Sequence, residues 1–275
     1  MSVKKEASGR RSVQVEVEVP GTPEEVWQAI ATGPGISSWF VPAEFEERDG
    51  KPVAVKLNFG PGMESRSVVT AWDPPRMFAA QAPSWAPGSP PIADEWSVEA
   101  HGGGICVVRV IHSLFASTDD WDNQLDGMEQ GWPTYFRILR RYLETFKGME
   151  CSAMQFVSFS SDSESKTWEK LGGELGLLKV APGQKWSDPA PPNGFPRMTG
   201  VVDSLGKGMH SNTVLLRLDT PAPGSAYIGA ISCGGMVQVY MAIYLYGANA
   251  KATVERDEPI WQAWVDERFP MPQMG

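Results

Sequence analysis

The sequence is poor in the residues that most chemistry uses. Its 275 residues include three histidines, His101, His112 and His210, and three cysteines, Cys106, Cys151 and Cys233. The cysteines lie far apart with no CxxC spacing. That excludes a disulfide framework and fits a reducing compartment. Cys106 falls in an expected strand and reads as a buried, inert thiol. There is no HExxH, no His/Cys cluster and no close carboxylate–His spacing, so no metal is expected. There is no GxSxG. Gly102-Gly103-Gly104 lacks the Lys-Ser/Thr of a phosphate loop and lies between two strands, the wrong setting for a dinucleotide fingerprint. Basic runs are also missing: 24 Lys and Arg stand against 33 Asp and Glu, a net charge of −9. Arg140-Arg141 is a pair, not a patch. Nucleic acid and anionic membranes are therefore disfavoured partners. Met1 to Arg11 is polar and basic without an apolar core, so no secretory signal is expected. The longest apolar stretch, Met236 to Tyr246, is too short to cross a bilayer as a helix and reads as a strand. These absences together point to a cytoplasmic protein with no cofactor.

What the chain does hold is apolar and aromatic. Hydrophobic residues make up 42% and charged residues 21%, which supports a real core, and eleven tryptophans imply thick aromatic packing or ring-lined hollows. Val13, Val15, Val17 and Val19 alternate with polar residues, the period of a half-buried strand. After Pro20-Gly21, Thr22, Pro23 and Glu25 spell a capping box for a helix that carries Val26, Trp27 and Ile30 inward. Gly33-Pro34-Gly35 breaks it, and a short turn of helix follows through Trp39. About six antiparallel strands come next: 43–48, 53–59, 64–72, 76–81, 92–99 and 105–114. Their turns are Asp49-Gly50, Gly60-Pro61-Gly62, Asp73-Pro74-Pro75, the Pro-rich loop 82–91 and His101 to Gly104. A long helix over about 118–147 should be capped by Thr118 or Asp119 and kinked by Pro133. Leu125, Met128, Trp132, Phe136, Leu139, Leu143 and Phe146 form its buried stripe.

From about Glu150 the plan repeats weakly. A strand at 154–159 precedes a helix at 162–175 with Trp168 in the place of Trp27. A Pro/Gly-rich loop at 181–196 leads to strands at 198–204, 213–219, 225–232 and 236–246. A last helix at 259–268 carries Trp261, Trp264 and Val265. This half reads as a shorter copy that lacks the early strands. The expected layout is a disordered tail at 1–11, a first domain at 12–149 and a truncated second domain at 150–275.

Three segments carry a family resemblance: Pro23 to Ile30 with Trp39-Phe40, Val68 to Arg76, and Gly131 to Phe136 with Leu139 and Leu143. In this order they span most of residues 12–147. They resemble the SRPBCC (START/Bet v 1-like) superfamily in its branch of activator-of-heat-shock-ATPase homologues. The resemblance implies an α+β helix-grip fold, in which a curved antiparallel sheet grips a long C-terminal helix around a cavity. Relatives use that cavity for lipids, polyketides or other apolar molecules, and some are cyclases or aromatases.

On that frame Asp94, in phase with Ile92, Trp96 and Val98, is either a cavity carboxylate or a strand-end residue turned to solvent. His112 shares a face with Val108, Val110 and Leu114 and is either structural or an acid–base group. Trp39, Phe59, Trp96, Trp132 and Phe136 are the expected lining residues. Arg66 and Glu64 are expected to form a surface pair. The leading reading is a non-enzymatic module that binds an apolar small molecule. The alternatives are a cyclase/aromatase-type enzyme using Asp94 or His112, and a protein-interaction or chaperone-linked module, with homodimerisation through the second half.

Overall fold

In the computed structural model, which describes residues 3–84, 89–116, 118, 121–189 and 195–271, the valine alternation becomes one strand of an eight-stranded antiparallel sheet. The chain divides into two units, Met1–Lys147 and Gly148–Gly275. The first unit opens with β1 (Lys4–Lys5) and β2 (Arg10–Pro20), then helices α1 (Pro23–Ile30) and α2 (Gly33–Ser37). Strands β3 (Ala43–Arg48), β4 (Lys51–Asn58), β5 (Glu64–Asp73), β6 (Met77–Ala82), β7 (Ile92–Gly102) and β8 (Ile105–Phe115) follow. Helix α3 (Asp122–Arg141) and a π-helical turn, Tyr142–Phe146, close the unit. The strand order is β1-β2-β8-β7-β6-β5-β4-β3, so successive hairpins lie side by side and β2 pairs with the last strand.

Local chemistry explains the joints. Thr22 accepts the Glu25 N–H while the Glu25 carboxylate accepts the Thr22 N–H, the reciprocal box read from the sequence. Asp49 and Gly50 both take positive φ, 52° and 70°, which a two-residue hairpin turn of this hand requires. A bulge between Val69 and Ala71 moves β5 by one residue and brings Trp72 opposite Phe78 on the inner face. Leu125, Trp132, Phe136, Leu139, Leu143 and Phe146 are buried along one face of the closing helix.

Several expectations give way. Residues 3–11 are not a loose tail: Lys4 and Lys5 pair with Ser12 and Arg11, and both Lys5 and Arg11 form ion pairs with Asp122 at the start of α3. Polar composition suggested a tail because this hairpin is held by charge, not by apolar burial. Helix α3 starts later than expected, with Trp121 at the cap position and no side-chain cap, and it runs on through Pro133. Asp119 lies outside the described residues, as do 85–88 of the Pro-rich loop. Arg66 does not pair with Glu64; it makes a two-pronged bond to Glu46, two strands away on the same face. Same-face neighbours on adjacent strands compete with same-strand ones, and here the cross-sheet carboxylate wins.

The second unit repeats the plan with two strands fewer. It contains β9 (Cys151–Ser160), α4 (Glu164–Glu174), β10 (Lys185–Ser187), β11 (Thr199–Leu205), β12 (Thr213–Thr220), β13 (Gly224–Cys233), β14 (Met236–Tyr246) and α5 (Ala250–Arg268). The order β10-β11-β12-β13-β14-β9 again sets the first strand beside the last. An early strand is therefore present after all, as the three-residue β10. The last helix begins nine residues before Pro259, which lies inside it. Residues 190–194 of the Pro/Gly-rich loop lie outside the described residues. Both units are α+β, and together they make a tandem helix-grip fold.

Candidate functional site

The β7–β8 hairpin builds the first unit's interior. Its turn falls on Gly103-Gly104, both at positive φ, and a bulge between Ala100 and Gly102 then sets Ile92 opposite Leu114, Asp94 opposite His112 and Trp96 opposite Val110. Directly opposed residues share a face. Val108, Val110 and Leu114 on that face are fully buried, so it is the inner one. Asp94 therefore points inward beside His112, not out from a strand end.

The two side chains form a chain with the closing helix. His112 Nδ1 lies 2.5 Å from Asp94 Oδ1, and Trp132 Nε1 lies 2.5 Å from His112 Nε2. An indole N–H can only donate, so Nε2 must present its lone pair. The ring proton then sits on Nδ1 and is donated to the Asp94 carboxylate. This sets a neutral imidazole in one tautomer, with the carboxylate the more exposed partner: the Asp94 side chain is 23% exposed and His112 is 9%. Both His112 nitrogens and the Trp132 indole nitrogen thus have a partner, as burial demands.

Rings surround it. Trp132 is nearly coplanar with His112, at 5.4 Å and 15°. Its ring centre also lies 5.0 Å from Phe40, 5.1 Å from Trp96, 5.2 Å from Phe136 and 6.3 Å from Trp39. Phe78 stacks on Trp96 and leads to a second group, Trp27, Phe45 and Trp72. Of the residues expected from the sequence, Trp39, Trp132 and Phe136 are buried, Trp96 is half-buried, and Phe59 sits at the margin against Phe40. Sequence reasoning missed Phe40, Trp72, Phe78 and Tyr135. Phe40 adjoins Trp39 at the end of α2, and that doublet was its available signal. Trp72 was hidden by the bulge. These rings pack on one another between sheet and helix. Two open hollows lie beside the N-terminal hairpin: one of about 330 Å³ lined by Lys4, Glu6, Arg10 and Glu129, and one of about 430 Å³ lined by Lys5, Glu6 and Arg11.

Other reactive groups are poorly placed. Cys106 is buried, and burial first, then Glu24 and Glu25, raise its pKa. That suppresses the thiolate a nucleophile needs. His101 is exposed at the hairpin end. Among the described residues, no three His, Cys, Asp or Glu side chains come close enough to hold a metal ion.

The second unit offers a contrast. Counted along the strands, Ile243 on β14, flanked by Met154 and Ala226, occupies the position of His112 flanked by Val13 and Asp94. The surrounding core is mostly aliphatic, with Leu171, Val202, Leu216, Ile228 and Met241, and includes the rings of Phe156, Trp186 and Phe269. Trp261 of α5 closes it, packed against Phe195 at 4.6 Å.

Comparison with known proteins follows the same outline. Residues 10–145 match the model of a family described as polyketide cyclase / dehydrase and lipid transport. Similar solved structures include the di-domain ARO/CYC BexL from the BE-7585A biosynthetic pathway. It is 13% identical with a TM-score of 0.45, over 95% of this chain and 99% of that one. The di-domain ARO/CYC StfQ from the steffimycin pathway is 10% identical with a TM-score of 0.42, over 93% of this chain and 92% of that one. The Aha1 dimer from Colwellia psychrerythraea is 20% identical with a TM-score of 0.38, over 50% of this chain and 98% of that one. No curated protein sequence matches the chain. At these identities no residue role is carried across.

Proposed function

The chain belongs, through residues 10–145, to the SRPBCC superfamily, and on that premise we propose that its first unit binds an apolar, ring-containing small molecule of polyketide type without transforming it. One observation carries this reading: an interior walled by aromatic rings that holds a single polar chain, Asp94–His112–Trp132. Small-ligand sites are mostly apolar with a few placed polar groups. Both His112 nitrogens are already engaged, and Cys106 is a weak nucleophile. The arrangement favours holding a molecule over reacting with it.

A second reading has its own support. A carboxylate that fixes a histidine's Nδ1–H is the arrangement that aims Nε2 at a substrate proton. A cyclase or aromatase step would use it once Trp132 moved aside. On the same reading the protein acts in the cytoplasm and pairs as a homodimer through its second unit.

Native mass spectrometry of the purified full chain, followed by thermal shift with palmitate and with a fused-ring aromatic, tests the first reading. At a ligand concentration a hundred times Kd, stabilisation should reach about 2.7 kcal/mol. The aromatic should stabilise the first unit's transition more than the fatty acid. No shift with either, and no co-purifying molecule, overturns the reading. If Asp94→Asn abolishes a turnover while leaving binding intact, the enzyme reading replaces it. The mass itself decides between monomer and dimer.

A further inference from the structure

We infer that His112 Nε2 is the hydrogen-bond anchor for the ligand, and that the Trp132 indole N–H holds the place of the ligand's own donor. The site then selects a flat ring carrying a hydroxyl over one that offers only carbonyl, ether or hydrocarbon. This rests on the binding reading above and deepens it by stating the polarity of recognition.

The polarity follows from bonds already described. Asp94 holds the imidazole proton on Nδ1, so Nε2 can only accept. Any group that replaces Trp132 there must donate. A ligand without a donor would leave a buried acceptor unpaired, which typically costs a tenfold or larger share of affinity. The shape follows from the neighbours. Trp132 is a flat ring bracketed by Phe40, Trp96 and Phe136 and nearly coplanar with His112. A molecule taking its place meets the same rings and must be flat as well.

The sequence of α3 makes the exchange feasible. Gly127, Gly131 and Pro133 all fall inside the helix around Trp132. Glycine and proline are the weakest helix formers, and proline withholds the N–H that would bond the carbonyl four residues back, here that of Glu129. The turn carrying Trp132 is thus the weakest in the helix, and the residue most firmly tied into the polar chain sits on it. The second unit shows that the polar chain is not needed to close such a grip, since Ile243 and Ala226 stand at the matching positions.

Calorimetric titration of the full chain with 2-naphthol and with 2-methoxynaphthalene tests this, since the two differ in the donor. The naphthol should bind at least about tenfold more tightly. His112→Leu should erase the difference while the ether still binds. Trp132→Phe removes the competing N–H and should strengthen naphthol binding more than ether binding. It also keeps the test open if His112→Leu does not fold. Equal affinity for both probes in the wild type and in Trp132→Phe overturns the anchor but leaves the apolar site standing. Absence of binding by either probe to both proteins overturns the site and the anchor together. In histidine side-chain nitrogen spectra, the bound state should keep its proton on Nδ1. A proton found on Nε2 in the naphthol complex would also overturn the anchor.

Discussion

The two units solve one geometric problem with opposite chemistry. Each lays a long helix into a curved antiparallel sheet in which an N-terminal strand, β2 or β9, pairs with the last one, β8 or β14. The first fills the gap with rings and a hydrogen-bonded Asp94–His112–Trp132 chain. The second fills it mainly with Leu, Ile, Val and Met, among the rings of Phe156, Trp186, Trp261 and Phe269. A buried polar chain is weak support for stability, because desolvation offsets most of what its bonds return. An apolar core suffices for the fold, as the second unit demonstrates. The polar chain therefore needs a reason other than folding, and recognition is the reason its geometry offers.

Exchanging the two solutions is the strongest way to break that comparison. Ile243→His places an imidazole where Ala226 offers no carboxylate and Met154 no acceptor. The loss should reach about 3 kcal/mol or more, from an unsatisfied buried polar group and a misfitted ring. The reverse exchange, Asp94→Ala with His112→Ile, leaves Trp132's N–H unpaired and should cost about 1–2 kcal/mol. Denaturant unfolding of the full chain, followed by far-ultraviolet dichroism, checks both. Equal losses would mean that the polar chain is structural and that the contrast between the units carries no functional message.

A smaller test compares how the two units start their first helices. Helix α1 has the full reciprocal box of Thr22 and Glu25. Helix α4 has a single cap, with Ser163 accepting the Lys166 N–H at 3.4 Å. Thr22→Ala should cost about 1 kcal/mol, and Ser163→Ala less, near the low end of measured caps at roughly 0.5 kcal/mol. Unfolding midpoints measured side by side would reveal the order. A larger loss at Ser163 would contradict the reading that the second bond of the box adds to the first.

How much of this could be read from residues alone depended on range. Local signals were legible: the Thr22 box, the Asp49-Gly50 turn, the valine alternation and the apolar stripe of α3 all depend on neighbours within a few positions. Asp94 and His112 were each visible as inward candidates, but their meeting was not, because it depends on register across the hairpin. A turn centred on Gly103-Gly104 would by itself set Asp94 opposite Ser113; a bulge between Ala100 and Gly102 shifts the register by one residue and brings Asp94 opposite His112, and nothing in the sequence marks that bulge. Trp72 was lost to a bulge, which shifts phase by one residue without a sequence mark of its own. The bond from Trp132 to His112 joins helix to sheet, and no periodicity within either element encodes it. The N-terminal hairpin was missed because its anchor, Asp122, lies more than a hundred residues away.

The outer face of the first sheet provides the mildest test, and a contrast with the second. Glu46 receives two bonds from Arg66 and one ion pair from Lys56, across three adjacent strands. In the second sheet, Arg217 meets Asp203 more loosely, at 3.6 Å. The Arg66 hydrogen bonds, followed by that of Lys56, hold the Glu46 carboxyl down from 4.5 to about 2. A depressed carboxyl stabilises the folded state fully above pH 4.5 and loses that contribution as pH falls from 4.5 towards 2. The group is solvent-facing, so the effect on unfolding should be slight. Its titration should still be visible: the Glu46 side-chain carboxyl carbon should titrate well below ordinary glutamates, and Arg66→Gln should move its midpoint most of the way back. A wild-type midpoint at the ordinary value would mean that the two-pronged pair does not persist in solution. The outer faces of the two sheets would then be electrostatically alike, and their interiors would be what sets the units apart.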